Sequence, residues 1–211
     1  MGTDILKALQ WRYAVKTFDA SKKVTQEDLT TILESARLAP SSFGIEAWKF
    51  LVVESPELRA KLRAVAYDQT KVTDASHLII VTRRTDAREH ITQELVDRTA
   101  QAQGVKPEDL GALSQMVGGA ISNRSDEQLD AWIKSQTYIA LGMMIETAAL
   151  LNIDSCPMEG FDASQVDVVL GLSAKNLATT SMLAIGYRGE DPAAQRAKVR
   201  RAADAVVEFI K

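Results

Sequence analysis

Arg12 and Lys16 stand four residues apart in W-R-Y-A-V-K-T-F, and Arg196, Lys198, Arg200 and Arg201 crowd six residues near the far end of the chain. Brought together, such cations would hold one small, strongly anionic ligand such as a phosphorylated cofactor. Guanidinium forks match phosphate oxygens two at a time, and ammonium groups add point charge. Spacing leaves a second reading open, in which these are solvated surface cations. The 211-residue chain is net −3, so the clusters are local basic sites on an acidic protein. Residues 86–130 hold nine Asp/Glu against four Lys/Arg, which leaves the remainder at +2. That balance argues against nucleic-acid binding, which needs a broad cationic track.

Other site chemistries find no support. The single cysteine, Cys156, excludes an internal disulfide, and with only two histidines there is no spaced set of soft metal ligands. No G-x-G-x-x-G follows a strand, and Walker, H-E-x-x-H and nucleophile-elbow patterns are absent. Chemistry on this chain would therefore be carried by a bound cofactor. The opening M-G-T-D-I-L-K lacks a signal-peptide apolar run, and the most apolar stretch, 137–151, is shorter than a membrane span and contains Glu146. A cytoplasmic protein away from membranes is expected.

The elements that must position the cations are legible from periodicity. Ile5, Leu6 and Leu9 share a helical face, with Asp4 a candidate N-cap. Thr25 and Asp28 resemble a capping box for a helix that Pro40 closes. Residues 48–54 read as a strand, and Ser55-Pro56 opens a helix to about residue 66. Leu78–Val81 is a continuous apolar run, typical of a strand covered on both faces. Residues 86–103 and 107–117 read as polar, exposed helices forming an excursion at about 86–124. Residues 125–151 form one long helix, apolar towards its C-terminal half, that needs cover on nearly all sides. A short strand is expected at 153–156 and a strong one at 178–187, with a helix at 163–170 ending at Gly171 between them. Ala202, Ala205, Val206 and Phe209 then recur at helical spacing, so the tail at about 195–211 is expected to dock. The pattern predicts one α+β domain over residues 1–211: a three-layer α-β-α arrangement around a mainly antiparallel sheet of four to five strands.

Four segments in order resemble the FMN-dependent nitroreductase family: R-Y-A-V-K-T-F at 12–18, A-P-S-S-F-G-I-E-A-W at 39–48, C-P-M-E-G-F at 156–161, and K-V-R-R at 198–201. Lys71 followed by D-A-S-H, and W-x-x-x-Q-x-Y-x-A-x-G at 132–142, match as well. Each motif is weak alone; their order and spacing are specific.

The resemblance implies that Arg12, Lys198 and Arg200 grip the FMN phosphate, while Lys16 and Lys71 lie beside the flavin pyrimidine ring, where positive charge favours the reduced form. It places Pro157, Met158, Glu159 and Gly160 under the ring, with backbone N–H groups of Glu159 and Gly160 directed at N5 and O4. Pro40, Ser41, Ser42 and Gly44 would reach the cofactor of a second subunit. Gln69 would supply a polar contact, and Ala14 stands where a Ser is often found. The chain departs from the family where Gly44, Glu46 and Ala47 replace Asn, Gln and Pro. The excursion contains no aromatic residue, so substrate stacking would fall to Phe43, Trp11 or Tyr13. Trp132 and Tyr138 read as helix-packing residues, and Cys156 as a small packed one. The implied activity is NAD(P)H oxidoreduction by ping-pong hydride transfer through FMN to nitroaromatics, quinones or related rings, in a homodimer. Neither a metal nor a catalytic acid or base is implied. The same fold would also serve an ene-reductase, a dehalogenase or a non-catalytic FMN-binding protein.

Overall fold

The computed structural model describes residues 2–211. Four strands, β1 (Trp48–Val53), β2 (His77–Arg84), β3 (Asp154–Met158) and β4 (Leu177–Gly186), form one sheet in the order β1-β2-β4-β3, and every neighbouring pair is antiparallel. The helices are α1 (Gly2–Trp11), α2 (Gln26–Arg37), α3 (Pro56–Val65), α4 (Lys71–Asp74), α5 (Ala87–Gln103), α6 (Gly111–Ser122), α7 (Asp126–Leu150) and α8 (Ala163–Leu170). The chain is thus α+β, with a four-stranded sheet.

Alternation along the central strands decides the layering, since successive side chains point to opposite faces. Leu78 and Ile80 of β2, with Met182 and Ala184 of β4, pack towards α3, α4 and α8 around Leu62, Val72 and Val166. Ile79 and Val81, with Leu183 and Ile185, face α2 and α7 around Ile32, Ala140 and Met144. Both faces are covered, which is why β2 reads as a continuous apolar run. Full burial of each Leu- or Ile-sized side chain stabilises by about 1.5–3 kcal/mol before entropy is counted.

The caps follow the local chemistry. Thr25 Oγ1 accepts the Asp28 N–H at the head of α2, Ser55 Oγ that of Leu58 in α3, and Ser125 Oγ that of Gln128 in α7. The last is a reciprocal box, with Gln128 reaching back to Ser125 N. Helix α2 ends at Arg37, two residues ahead of Ala39-Pro40. Helix α1 starts at Gly2, so Asp4 lies in its first turn and is not the N-cap.

Two expectations are corrected. The excursion is not simply polar and exposed: Ile91, Leu95 and Ala87 of α5 and Val117 and Ile121 of α6 bury against Ile45, Ala47, Leu129 and Ile133 as a third core. The tail is not helical. Beyond a short 3-10 turn at Ala203–Ala205 it has no regular structure, and Phe209 and Ile210 are 84% and 93% exposed. Its basic part meets the N-terminal segment through Lys198, whereas its apolar residues Val206, Val207, Phe209 and Ile210 stay exposed and so have no packed face to stabilise a helix.

The N-terminal segment beyond α1 is fastened to the sheet. Ala14 forms a parallel bridge with Ser155 of β3, and Phe18 an antiparallel bridge with Arg188 beyond β4. Gly186 permits this approach: a Cβ there would lie 3.0 Å from both Phe18 Cδ1 and the Ser76 backbone nitrogen. Asp191 accepts the backbone N–H groups of Lys16 (2.8 Å) and Thr17 (3.2 Å). The two basic ends of the chain therefore meet.

Candidate active site

Arg12, Ala14, Lys198 and Arg200 line one cavity of about 450 Å³ together with Trp11, Tyr13 and Arg196. Among the described residues no carboxylate lines it. The Arg12 Nε–H is buried without a hydrogen-bond partner. Burial and the nearby Arg200 lower the Arg12 guanidinium from its ordinary value; burial, Arg12 and Arg200 lower the Lys198 ammonium. Lys198 Nζ donates to Leu9 O at 2.7 Å and also to Arg12 O, fastening the tail to the C-terminal end of α1. Among the described residues Arg200 donates only to the neighbouring Val199 carbonyl. Cations crowded around an unused buried donor are chemically suited to an anion, and the donor set fits a phosphate group.

The segment carrying Arg12 is braced by groups that motif reading did not identify. Asp154, almost fully buried on β3, takes a forked pair of hydrogen bonds from Arg188, whose guanidinium lies 4.5 Å from the Trp11 ring centroid and 4.9 Å from that of Tyr13. Hydrogen bonding to Asp154 raises the Arg188 guanidinium, and burial only partly opposes it. Single charged residues far apart in sequence give no signal of such a clamp.

Through the Ala14–Ser155 bridge, the cationic cavity adjoins the strand that leads into Pro157–Gly160. There Gln69 Nε2 donates to Gly160 O at 2.6 Å and to Ala66 O at 2.9 Å, tying the turn before α4 to this loop. Among the described residues Glu159 N–H and Gly160 N–H donate to no backbone acceptor. Gly160 has no left-handed φ, and a Cβ there would meet only Gln69 Nε2 at 3.7 Å, so the chain itself does not demand glycine at this position. Lys71 opens α4, two residues after Gln69, and neither Lys71 nor Lys16 has a side-chain ion pair among the described residues. Pro157, Met158 and Glu159 line a second, apolar cavity of about 470 Å³ against Tyr138, Leu141, Gly142 and Ile145 of α7. Tyr138 is more than a packing residue, because its hydroxyl donates to the Glu159 carboxylate. Cys156 is buried and free.

Ser41, Ser42 and Gly44 are not brought to either cavity. Their loop rests on a different face of α7, where Ser42 N–H donates to Gln136 Oε1 at 2.9 Å and Phe43 meets Trp132 edge-on at 6.3 Å. Pro40, at the head of this loop, is exposed. Phe43, Gly44 and Glu46 have φ of 57, 73 and 47°, a conformation tolerated easily only by Gly44. Arg98 of α5 holds them there, donating to Glu46 Oε2 at 2.8 Å and Gly44 O at 3.0 Å. This clamp accounts for Glu46: its carboxylate faces a cation of the excursion. Trp132 in turn lies under the Arg124 guanidinium, 4.2 Å from its ring centroid.

Residues 9–187 match the nitroreductase family. The chain belongs to that family. A Staphylococcus saprophyticus protein named NAD(P)H nitroreductase is 36% identical over 219 residues, spanning 100% of this chain and 99% of that relative. A Bacillus subtilis nitroreductase structure superposes with a TM-score of 0.88 at 21% identity, over 100% of both chains, and shows the shared fold. A nitroreductase from Exiguobacterium sibiricum, solved in complex with FMN, superposes with a TM-score of 0.82 at 25% identity over 99% of this chain and 96% of that one. The family is one of FMN-dependent oxidoreductases. Among the described residues no group of three or more His, Cys, Asp or Glu gathers as a metal site, and no helix is long and apolar enough to cross a membrane.

Proposed function

We propose that the chain is an FMN-dependent NAD(P)H oxidoreductase reducing nitroaromatics, quinones or related planar rings. One observation carries the reading: a buried Arg12 donor without an acceptor, inside a carboxylate-free cluster with Lys198 and Arg200, one β-bridge away from the Pro157–Gly160 loop. Arg12 and Arg200 would grip the phosphate, and Lys198 would add charge while fastening the tail. Ala14 would pass the ribityl chain without a side-chain contact. Lys16 and Lys71, without an ion pair among the described residues, are suited to an electron-rich ring edge that gains negative charge on reduction. Gln69 fixes the Gly160 carbonyl, which sets the plane of the Pro157–Gly160 loop under the ring. When bound, FMN would take a hydride from NADH or NADPH and pass electrons in pairs to the acceptor. The chain itself then needs only to position and tune it.

The chain would act as one domain and as a homodimer. Helix α7 buries Ala140, Leu141, Met144 and Ala148 but leaves Ile139 and Leu150 exposed. The tail presents Val206, Val207, Phe209 and Ile210 to solvent. A two-fold partner would cover both. It would also bring the Pro40–Gly44 loop of one subunit to the cofactor of the other. Light scattering on the holoprotein checks this, a monomer carrying stoichiometric FMN being the contrary result. Anaerobic mixing with NADH or NADPH tests the activity: rapid flavin bleaching, then recolouring on addition of a nitroaromatic or quinone, is expected. A holoprotein left yellow by both donors would refute it.

A further inference from the structure

Glu159 is a carboxylate with no cationic partner among the described residues, although it sits in the loop proposed to carry the flavin ring. The side chain that meets it is Tyr138, donated from the middle of α7 across the apolar cavity that both residues line. The cavity wall there is Leu141, Gly142 and Met158, with the buried Ser181 hydroxyl lacking any partner. Glu159 is exposed to solvent at the edge of this cavity, so which way its carboxylate points decides how close its charge comes to a ring bound over the loop. The loop is also held from the opposite side, where Gln69 takes the Gly160 carbonyl. Tyr138 and Gln69 therefore pin consecutive residues, one through a charge and the other through a backbone dipole.

We infer that Tyr138 is a positioning residue of this site, holding the Glu159 carboxylate against α7 and so keeping its negative charge off the reduced flavin. The inference rests on the FMN reading above. Burial and the bond to Glu159 push the Tyr138 phenol up to about 12, so it remains a donor throughout the neutral range. The sign follows from charge. A free carboxylate beside a ring that gains electrons opposes reduction, and a hydroxyl donating to that carboxylate relieves the opposition.

The test is the midpoint potential of bound FMN, measured by anaerobic dye-coupled titration of the holoprotein. Tyr138→Phe should weaken binding of reduced relative to oxidised FMN by about tenfold, equivalent to a shift of about 30 mV to more negative potential for a two-electron couple. Glu159→Gln should shift the potential the other way, and adding Tyr138→Phe to it should move the potential no further. A general loosening of the fold would lower FMN affinity in both redox states alike and leave the potential unmoved. An unmoved potential in Tyr138→Phe with FMN normally bound overturns the inference alone, as does an equal shift in the Glu159→Gln background. Wild-type protein that takes up no FMN overturns both the inference and the reading beneath it.

Discussion

Replacing Arg12 by Ala should separate ligand binding from stability, and in opposite directions. In the free protein the Arg12 Nε–H is buried and unsatisfied, and Arg200 and Lys198 crowd it. A dry, unpaired donor costs about 1–3 kcal/mol, and a hydrogen bond to a charged acceptor contributes about 1.5–3 kcal/mol. A phosphate would relieve the first and supply the second. The side chain is only half-buried, so the net loss in Arg12→Ala is discounted for solvent to about 2 kcal/mol, roughly 30-fold in Kd. Flavin-fluorescence titration measures this for FMN and, as a control, for riboflavin, which has no phosphate. FMN affinity should fall and riboflavin affinity should hold, with a shallower salt dependence for FMN than in wild type. Urea unfolding of the apoprotein should show Arg12→Ala as stable as wild type, or more so, since a penalty has been removed. Arg12→Lys should fall between, keeping charge without the fork. Equal losses for FMN and riboflavin, or unchanged FMN affinity, would refute the reasoning.

Other expectations concern the frame around the site. Asp154→Ala leaves Arg188 without its partner and should destabilise by about 2–3 kcal/mol in urea, since breaking a buried pair is costly and Arg188 is only partly exposed. Arg98→Ala should cost less than about 1 kcal/mol, because its pair with Glu46 is half-exposed, yet hasten proteolysis within residues 41–47, where the left-handed residues lose their brace. Burial, Arg59 and Lys23 lower His77 below its ordinary 6.5, with Glu54 opposing. The unfolded chain then binds more protons at this position than the native one, so stability should fall as pH drops below 6.5 towards the folded value, and His77→Gln should flatten that part of the profile.

Strands and caps were readable because their causes are local. Leu78–Val81 is apolar on both faces, Ser55-Pro56 opens α3, and Ser125 with Gln128 opens α7. The third core was not, because Ile91, Leu95 and Val117 bury against Ile45 and Ile133, which lie in other parts of the chain. Val206 and Phe209 show the converse: helical spacing without a packed face yields no helix. At the site, Arg12, Lys198 and Arg200 line one cavity, and Gln69 bonds the Gly160 carbonyl, a partner that motif order did not name. What escaped was the supporting set of Asp154, Arg188, Asp191, Arg98 and Tyr138. Each is a lone polar residue whose partner is fixed only by tertiary packing.

The two basic ends of this chain are proposed to close on the phosphate of FMN. Stripped protein dialysed against FMN, then passed through a desalting column and read by visible absorption, tests this most directly. A yellow protein retaining about one flavin per chain is expected, with retention lost in an Arg12→Ala, Arg200→Ala double variant. A colourless wild-type protein, or a double variant as yellow as wild type, would contradict it.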